Sequence, residues 1–166
     1  VDAIVNAANS GMTGCYYPCH KCIDNCIHTY AGVQLRNYCA EIMQKQGYPE
    51  PTGQAKLTPA FNLPSKYVIH TVGPIVNGPL TDRLRELLAS CYRSCLNLAD
   101  ESGLESIAFC CISTGEFHFP NEEAAKIAIH EVRQYRKNGG RCNVIFNVFS
   151  EKDRAIYDRL LKRGAA

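Results

Sequence analysis

Four cysteines and two histidines fall within the fifteen residues of Gly-Cys-Tyr-Tyr-Pro-Cys-His-Lys-Cys-Ile-Asp-Asn-Cys-Ile-His, positions 14 to 28. Thiolate and imidazole donors crowded into one loop suit tetrahedral zinc. Pro18 narrows the loop's freedom, so less entropy is lost when an ion closes it. Cys15, His20 and Cys22 are the favoured ligands. His20 and Cys22 alternate, so in an extended stretch they face one side and Lys21 the other. Cys19-x-x-Cys22 is a competing chelate. Cys19, Cys22 and Cys26 are also placed for an iron–sulfur cluster, which His20 and the neighbouring carboxylate disfavour. Cys26 is expected to face the core with Ile23 and Ile27. Three protein ligands would leave a coordination position open, as in catalytic sites, whereas four would close a structural one. A redox-sensitive or merely cysteine-rich loop is the plainer alternative.

Two further segments carry polar groups suited to a ligand. Ser113-Thr114-Gly115-Glu116-Phe117 follows an apolar run directly. Small residues there let backbone N–H groups approach an anion, and the hydroxyls add donors. Taken alone, such a turn is common between a strand and a helix. Asn6-Ala7-Ala8-Asn9-Ser10-Gly11 ends another apolar run. Its amides are placed either to bind sugar hydroxyls or to cap a loop.

These segments need a scaffold. Residues 3–7, 67–72, 106–112 and 143–149 read as short buried strands, with 57–60 as a minor edge strand. One long helix is expected over 23–46, where Ile23, Ile27, Ala31, Leu35, Tyr38, Ile42 and Met43 recur at helical spacing before Gly47. A second spans 81–102. A third opens at Asn121 as N-cap and runs to about Lys137. A last helix follows the capping box Ser150-Glu151-Lys152-Asp153. Strands alternating with helices imply a mostly parallel sheet covered on both faces. Ligands then sit beyond the carboxyl ends of the strands, where the cysteine loop and the Ser-Thr-Gly loop both fall.

The 166 residues are expected to form a single domain, 1–166, with an ordinary 46% hydrophobic and 20% charged composition. A net charge of +2 without a dense basic block argues against a nucleic-acid partner. No apolar run approaches the ~18 residues that span a membrane. No secretory segment opens the chain, so the six cysteines outside the loop read as reduced, buried thiols in a cytoplasmic setting rather than a disulfide framework.

The blocks VDAIVNAANS from Val1, IDNCIHTYAG from Ile23, YVIHTVGP from Tyr67, ISTGEFHFP from Ile112 and VFSEKDRAIYDRLL from Val148 together resemble the macrodomain family, which binds ADP-ribose. They run in the family's order over nearly the whole chain. The resemblance implies a three-layer α/β/α sandwich with a mostly parallel mixed central sheet. Hydrolytic macrodomains carry a glycine run where this chain has GCYYPCHKC. That insert resembles the zinc-dependent, microbial subclass of protein ADP-ribosylhydrolases, whose Cys–His–Cys ligands fall on Cys15, His20 and Cys22. The family's first strand or strands, and the subclass's helical N-terminal extension, have no counterpart before Val1. A truncated fold lacking an edge strand is therefore expected.

The resemblance also assigns roles. Asn9 matches the amide that orients the distal ribose, and Asp24 the acid that acts beside it. Asp2, with the Ala3 backbone, matches the carboxylate that accepts from the adenine amino group. Ser113, Thr114, Gly115, Glu116 and Phe117 match the diphosphate loop. Phe119 corresponds to an aromatic on the ribose side, and Asn147 and Phe149 flank the adenine ring. His70 and His28 read as structural. The function implied is zinc-dependent removal of mono-ADP-ribose from modified protein side chains, by cleaving the bond at C1″ of the distal ribose. The partners implied are an ADP-ribosylated protein and ADP-ribose. The rival reading is a non-catalytic ADP-ribose-binding module whose zinc only braces the loop.

Overall fold

The computed structural model describes residues 1–16, 22–115 and 117–163. Its elements are β1 (Ala3–Ala8), α1 (Ile23–Ala31), α2 (Val33–Gln46), β2 (Ala55–Pro59), β3 (Tyr67–Val72), α3 (Asp82–Glu101), β4 (Ser106–Phe109), α4 (Asn121–Lys137), β5 (Asn143–Phe146) and α5 (Glu151–Arg163). The five strands form one sheet in the order β2-β3-β1-β4-β5. β1, β3, β4 and β5 are parallel, and β2 runs antiparallel along β3.

Alternation along the strands explains the layers, because neighbouring side chains point to opposite faces. Ala3, Val5 and Ile69 face a core built with Leu88, Tyr92 and Leu96 of α3, Ala125 and Ile129 of α4 and Tyr157 of α5. Ile4 and Val68 face the other way, onto Ile27 and Ala31 of α1 and Leu35 and Cys39 of α2. The result is the expected three-layer sandwich, with helices on both faces of a mixed sheet. No helix among the described residues is long and apolar enough to cross a membrane.

Three local expectations change. The helix expected over 23–46 is two helices, broken at Gly32, whose φ of 96° and ψ of 175° leave the helical region. A Cβ there would also sit 3.1 Å from Asn62 Nδ2. The apolar spacing survives the break, so periodicity alone could not reveal it. β4 and β5 end at Phe109 and Phe146, three residues short of the expected ends; Asn147 N–H still donates to Phe109 O at 2.8 Å as the last bond of their parallel ladder. Asn121 is not an N-cap: it is the first helical residue, behind Pro120, and its Nδ2 donates to Asp153 Oδ1 at 2.7 Å. The expected capping box at Ser150 forms in its forward half, and the return bond reaches the hydroxyl rather than the backbone N–H. Asp153 N–H donates to Ser150 Oγ at 3.1 Å, and that hydroxyl meets Asp153 Oδ2 at 3.0 Å.

Candidate active site

The carboxyl ends of the parallel strands converge on one edge of the sandwich. From β1 the chain enters a tight loop that Asn9 organises. Asn9 Oδ1 accepts from Gly11 N–H at 3.1 Å and Met12 N–H at 3.2 Å, and Nδ2 donates to Gly14 O at 3.1 Å. Asn9 is therefore a loop brace in this structure, whatever it offers a sugar. Gly14 has φ of 102°, and a Cβ there would stand 3.2 Å from both Arg36 Nη2 and His28 Cγ. Arg36 of α2 clamps the loop from behind. Its Nε donates to Thr13 O at 2.9 Å, and its guanidinium lies 5.1 Å from the centre of the Tyr16 ring.

The cysteine loop returns at Cys22, the N-cap of α1, whose Sγ accepts from Asn25 N–H at 3.4 Å. Burial pushes the Cys22 thiol up from its ordinary range; the Asn25 N–H opposes this, and the Cys15 thiol beside it and the charge of Asp24 add to it. Cys15 and Cys22, seven residues apart in sequence, thus face each other as thiols outside any disulfide. Two sulfurs side by side with no disulfide are a donor set that a divalent cation would complete. His20, the third expected ligand, and its competitor Cys19 lie outside the described residues.

Asp24 follows in the first turn of α1, where the helix dipole favours a carboxylate. It is buried, with Oδ1 2.8 Å from Asn6 Nδ2. Burial raises its pKa, while the Asn6 bond and the charge of Arg36 pull the other way. One helical turn on, His28 Nε2 stands 3.5 Å from Asp24 Oδ1. Burial first, then the Arg36 charge, lower the His28 pKa to about 4. The pair is consequently a carboxyl group against a neutral imidazole, not an ion pair. His28 was read from the sequence as merely structural. Its spacing of four from Asp24 on one helix face was the signal for this contact.

A second loop, between β4 and α4, faces the first. Ser113 turns it with φ of 66°, and its hydroxyl is buried without a partner among the described residues. Thr114 Oγ1 donates to Cys111 O at 3.0 Å, His118 N–H to Gly115 O at 3.0 Å and Phe119 N–H to Ser113 O at 2.8 Å. Gly73, just past β3, packs against this turn. A Cβ there would collide with the Ser113 hydroxyl and sit 2.8 Å from Ile112 Cγ2. Phe117 is half-buried, its carbonyl accepting from Val76 N–H at 2.8 Å. Glu116 lies outside the described residues. Beyond β5, Asn147 and Phe149 are both exposed at the same edge.

Two assignments do not fit this edge. Asp2 and Ala3 stand at the amino end of β1, the far side of the sheet from Asn9. Glu105 N–H donates to Asp2 Oδ2 at 2.8 Å, and Lys66 Nζ is 3.2 Å from Oδ1. Asp2 N–H in turn donates to Ser106 Oγ at 2.8 Å. The carboxylate is thus occupied in tying strand starts together, and these bonds hold its pKa below the usual range. Ala3 is buried in the core. A cleft of about 620 Å³ lies nearby, lined by Asp100, Gly103, Glu105, Arg141 and Asn143 among others, but none of the cysteine or Ser-Thr-Gly residues borders it. Phe119 is buried in the main core rather than lining an open ribose side.

Residues 5–128 match the Macro domain family. The chain belongs to that family. This macrodomain is 67% identical over 162 residues to a protein-ADP-ribose hydrolase of Treponema medium, covering 97% of this chain and 62% of that protein. It thus spans less than two thirds of that relative's length. Among solved structures it superposes on the Oceanobacillus iheyensis macrodomain with ADP at a TM-score of 0.89. The identity is 40%, covering 98% of this chain and 83% of that one. It also resembles the Trypanosoma brucei macrodomain in complex with ADP-ribose, with a TM-score of 0.81 and 36% identity over 96% of this chain and 63% of that one.

Proposed function

We propose that this macrodomain hydrolyses the bond between the distal ribose of ADP-ribose and a modified protein side chain, with zinc held by Cys15, His20 and Cys22. One observation carries the reading. The paired Cys15 and Cys22 thiols stand at the mouth of α1, and the buried Asp24 carboxylate lies two residues inside it. The names of the relatives, a protein-ADP-ribose hydrolase and macrodomains with ADP and with ADP-ribose, support the substrate class.

Each part has a physical role. The Ser113–Phe117 turn, with the free Ser113 hydroxyl, anchors the diphosphate and fixes the ligand's register. Phe149, exposed three residues past the end of β5, offers a ring to the adenine. Asn9 shapes the loop around the distal ribose. Asp24, aimed by Asn6, orients or deprotonates the attacking water. A zinc ion with an open position would supply Lewis-acid polarisation at the distal ribose.

Metal analysis of the purified protein, beside release of ADP-ribose from a mono-ADP-ribosylated protein, tests this. Zinc near one per chain is expected, and chelation or Cys22→Ala should abolish release while ADP-ribose binding persists. Undiminished release by metal-free protein would remove zinc from the mechanism. Binding without release, in the zinc-loaded protein, would leave a reader of ADP-ribose.

A further inference from the structure

Asp24 is one end of a buried chain of polar groups. Asn6 Nδ2 donates to Asp24 Oδ1 at 2.8 Å and stands 3.2 Å from His70 Nδ1. The other ring nitrogen, His70 Nε2, is 2.9 Å from Thr58 Oγ1. Asn6, His70 and Thr58 are all buried. The sheet accounts for their meeting. Asn6 and His70 are register partners on parallel β1 and β3, and Thr58 pairs with Val68 two residues before His70, one strand further out. The three side chains face the α1 layer, as do Ile4 and Val68. Placing an amide, an imidazole and a hydroxyl where apolar residues would pack is costly unless the groups satisfy one another.

The chemistry of the groups sets the direction of each bond. An amide nitrogen only donates, so both the carboxylate and His70 Nδ1 accept. His70 must then carry its ring hydrogen on Nε2 and give it to Thr58 Oγ1. Burial keeps the ring neutral, with its pKa lowered to about 3. Reversing the Asn6 amide would set Oδ1 against the carboxylate oxygen and forfeit both N–H bonds. Among the described residues, Asn6 Oδ1 is left without a partner instead. A buried acceptor is left unsatisfied while both N–H groups stay engaged.

We propose that Thr58, His70 and Asn6 form a positioning relay that locks the Asn6 amide and, through it, fixes the angle of the Asp24 carboxylate. Asn6 and His70 are positioning residues for hydrolysis, and this rests on the role given to Asp24 above. The same atoms do not make a metal site. His28, Cys39 and His70 bring three donor atoms within 4.8 Å of one another. But His70 Nε2 is already engaged by Thr58.

The test compares His70→Leu, His70→Asn and Asp24→Asn in the full chain, following ADP-ribose release, ADP-ribose binding by calorimetry and melting temperature. An asparagine at 70 puts an amide oxygen near the place of Nδ1, so it can still accept from Asn6. Misaimed catalytic groups lose about ten- to a hundredfold in turnover. His70→Leu should lose kcat on that scale, with KM and ADP-ribose affinity within about twofold, and His70→Asn should recover most of it. Unchanged kcat in folded His70→Leu, or no recovery in His70→Asn, overturns the relay. If Asp24→Asn loses turnover while His70→Leu keeps it, the relay falls and the proposed function stands. If Asp24→Asn keeps turnover, the role of Asp24 is what falls. Should His70→Leu fail to fold, ¹⁵N NMR of the unaltered protein decides: Nε2–H on His70 is required, and Nδ1–H overturns the relay.

Discussion

Asp2 and Asp24 are the same side chain at opposite ends of the sheet, and their surroundings drive them apart. Asp2 lies at the surface, where Glu105 N–H and Lys66 bind its oxygens and lower its pKa. Asp24 lies in the first turn of α1, two residues past Cys22, where burial raises its pKa against the opposing pull of Asn6 and Arg36. A carboxylate satisfied by backbone and lysine is a tie. One that is buried and only partly satisfied has the environment that functional acids have, which is why the proposed function gives Asp24 the chemical role. The difference teaches that the same side chain is set to opposite pKa directions by where the sheet places it: at the amino end of β1 it is tied to backbone and lysine, and past the carboxyl end, in α1, it is desolvated.

The largest expected effect breaks the two apart directly. Asp24→Asn should lower ADP-ribose release by about a hundredfold or more, as loss of a positioned acid or base does. ADP-ribose affinity should change little. Asp2→Asn should leave turnover within about twofold, because it touches no group at the ligand edge. Parallel kinetic and calorimetric titrations check both. Equal losses of turnover would erase the functional distinction between the ends.

Below that in size comes the pH dependence of stability. His70 is buried and neutral, with a folded pKa near 3 against an ordinary 6.5. His28 is shifted the same way, to about 4. Between the folded and ordinary values the unfolded chain binds the extra protons. The contribution of these imidazoles therefore should be complete above about pH 6.5 and fall as the pH drops, by on the order of a few kcal/mol at pH 4, while Asp24, with its raised pKa, acts in the opposite sense. Denaturant melts across this range check it, and His70→Asn should flatten the slope. A wild-type stability constant from pH 7 to pH 4 would show that these imidazoles are not held neutral.

A smaller change should affect only the carboxyl end. In Gly73→Ala the new methyl meets the Ser113 hydroxyl and Ile112 Cγ2. Overpacking of this kind costs about 1–3 kcal/mol. The turn at Ser113 must shift to admit it, so ADP-ribose affinity should fall several-fold while metal content stays whole. Calorimetry and metal analysis on one preparation separate the two. An unaltered affinity would mean that the Ser113 turn does not grip the diphosphate.

Much of this arrangement is legible in the sequence, and the misreadings have physical causes. The strands at Ala3–Ala8 and Tyr67–Val72 stand out because they are apolar and bounded by turn residues. The break at Gly32 is hidden because Ile27, Ala31, Leu35 and Cys39 keep helical spacing across it. Asp2 is matched by its place in a signature, whereas the structure sets it at the amino end of β1, away from the carboxyl ends where ligands gather in such sheets. Asn6 and His70 look like ordinary strand residues, because register between β1 and β3 is a tertiary fact. Asn9 was recognised, but its bonds to Gly11, Met12 and Gly14 require the loop's own geometry.

The smallest expected effect belongs to the tie. Since Asp2 has a folded pKa below its ordinary 3.8, the unfolded chain binds more protons than the folded one between those values. Stability should rise with pH through that window, be fully present above it, and be lost as the pH falls through the folded pKa. Asp2→Asn should remove this acid-limb slope and leave the slope between pH 4 and 6.5 untouched, because the buried imidazoles produce the latter. Solvent screens the Asp2–Lys66 pair, whose lysine is exposed and whose carboxylate is half-buried, so added salt should shrink the acid-limb difference and alter the other less. Melting curves of both proteins at two ionic strengths measure this. If salt acted equally on the two windows, the surface tie and the buried chain would not be electrostatically distinct, and the contrast between the two ends of the sheet would rest on position alone.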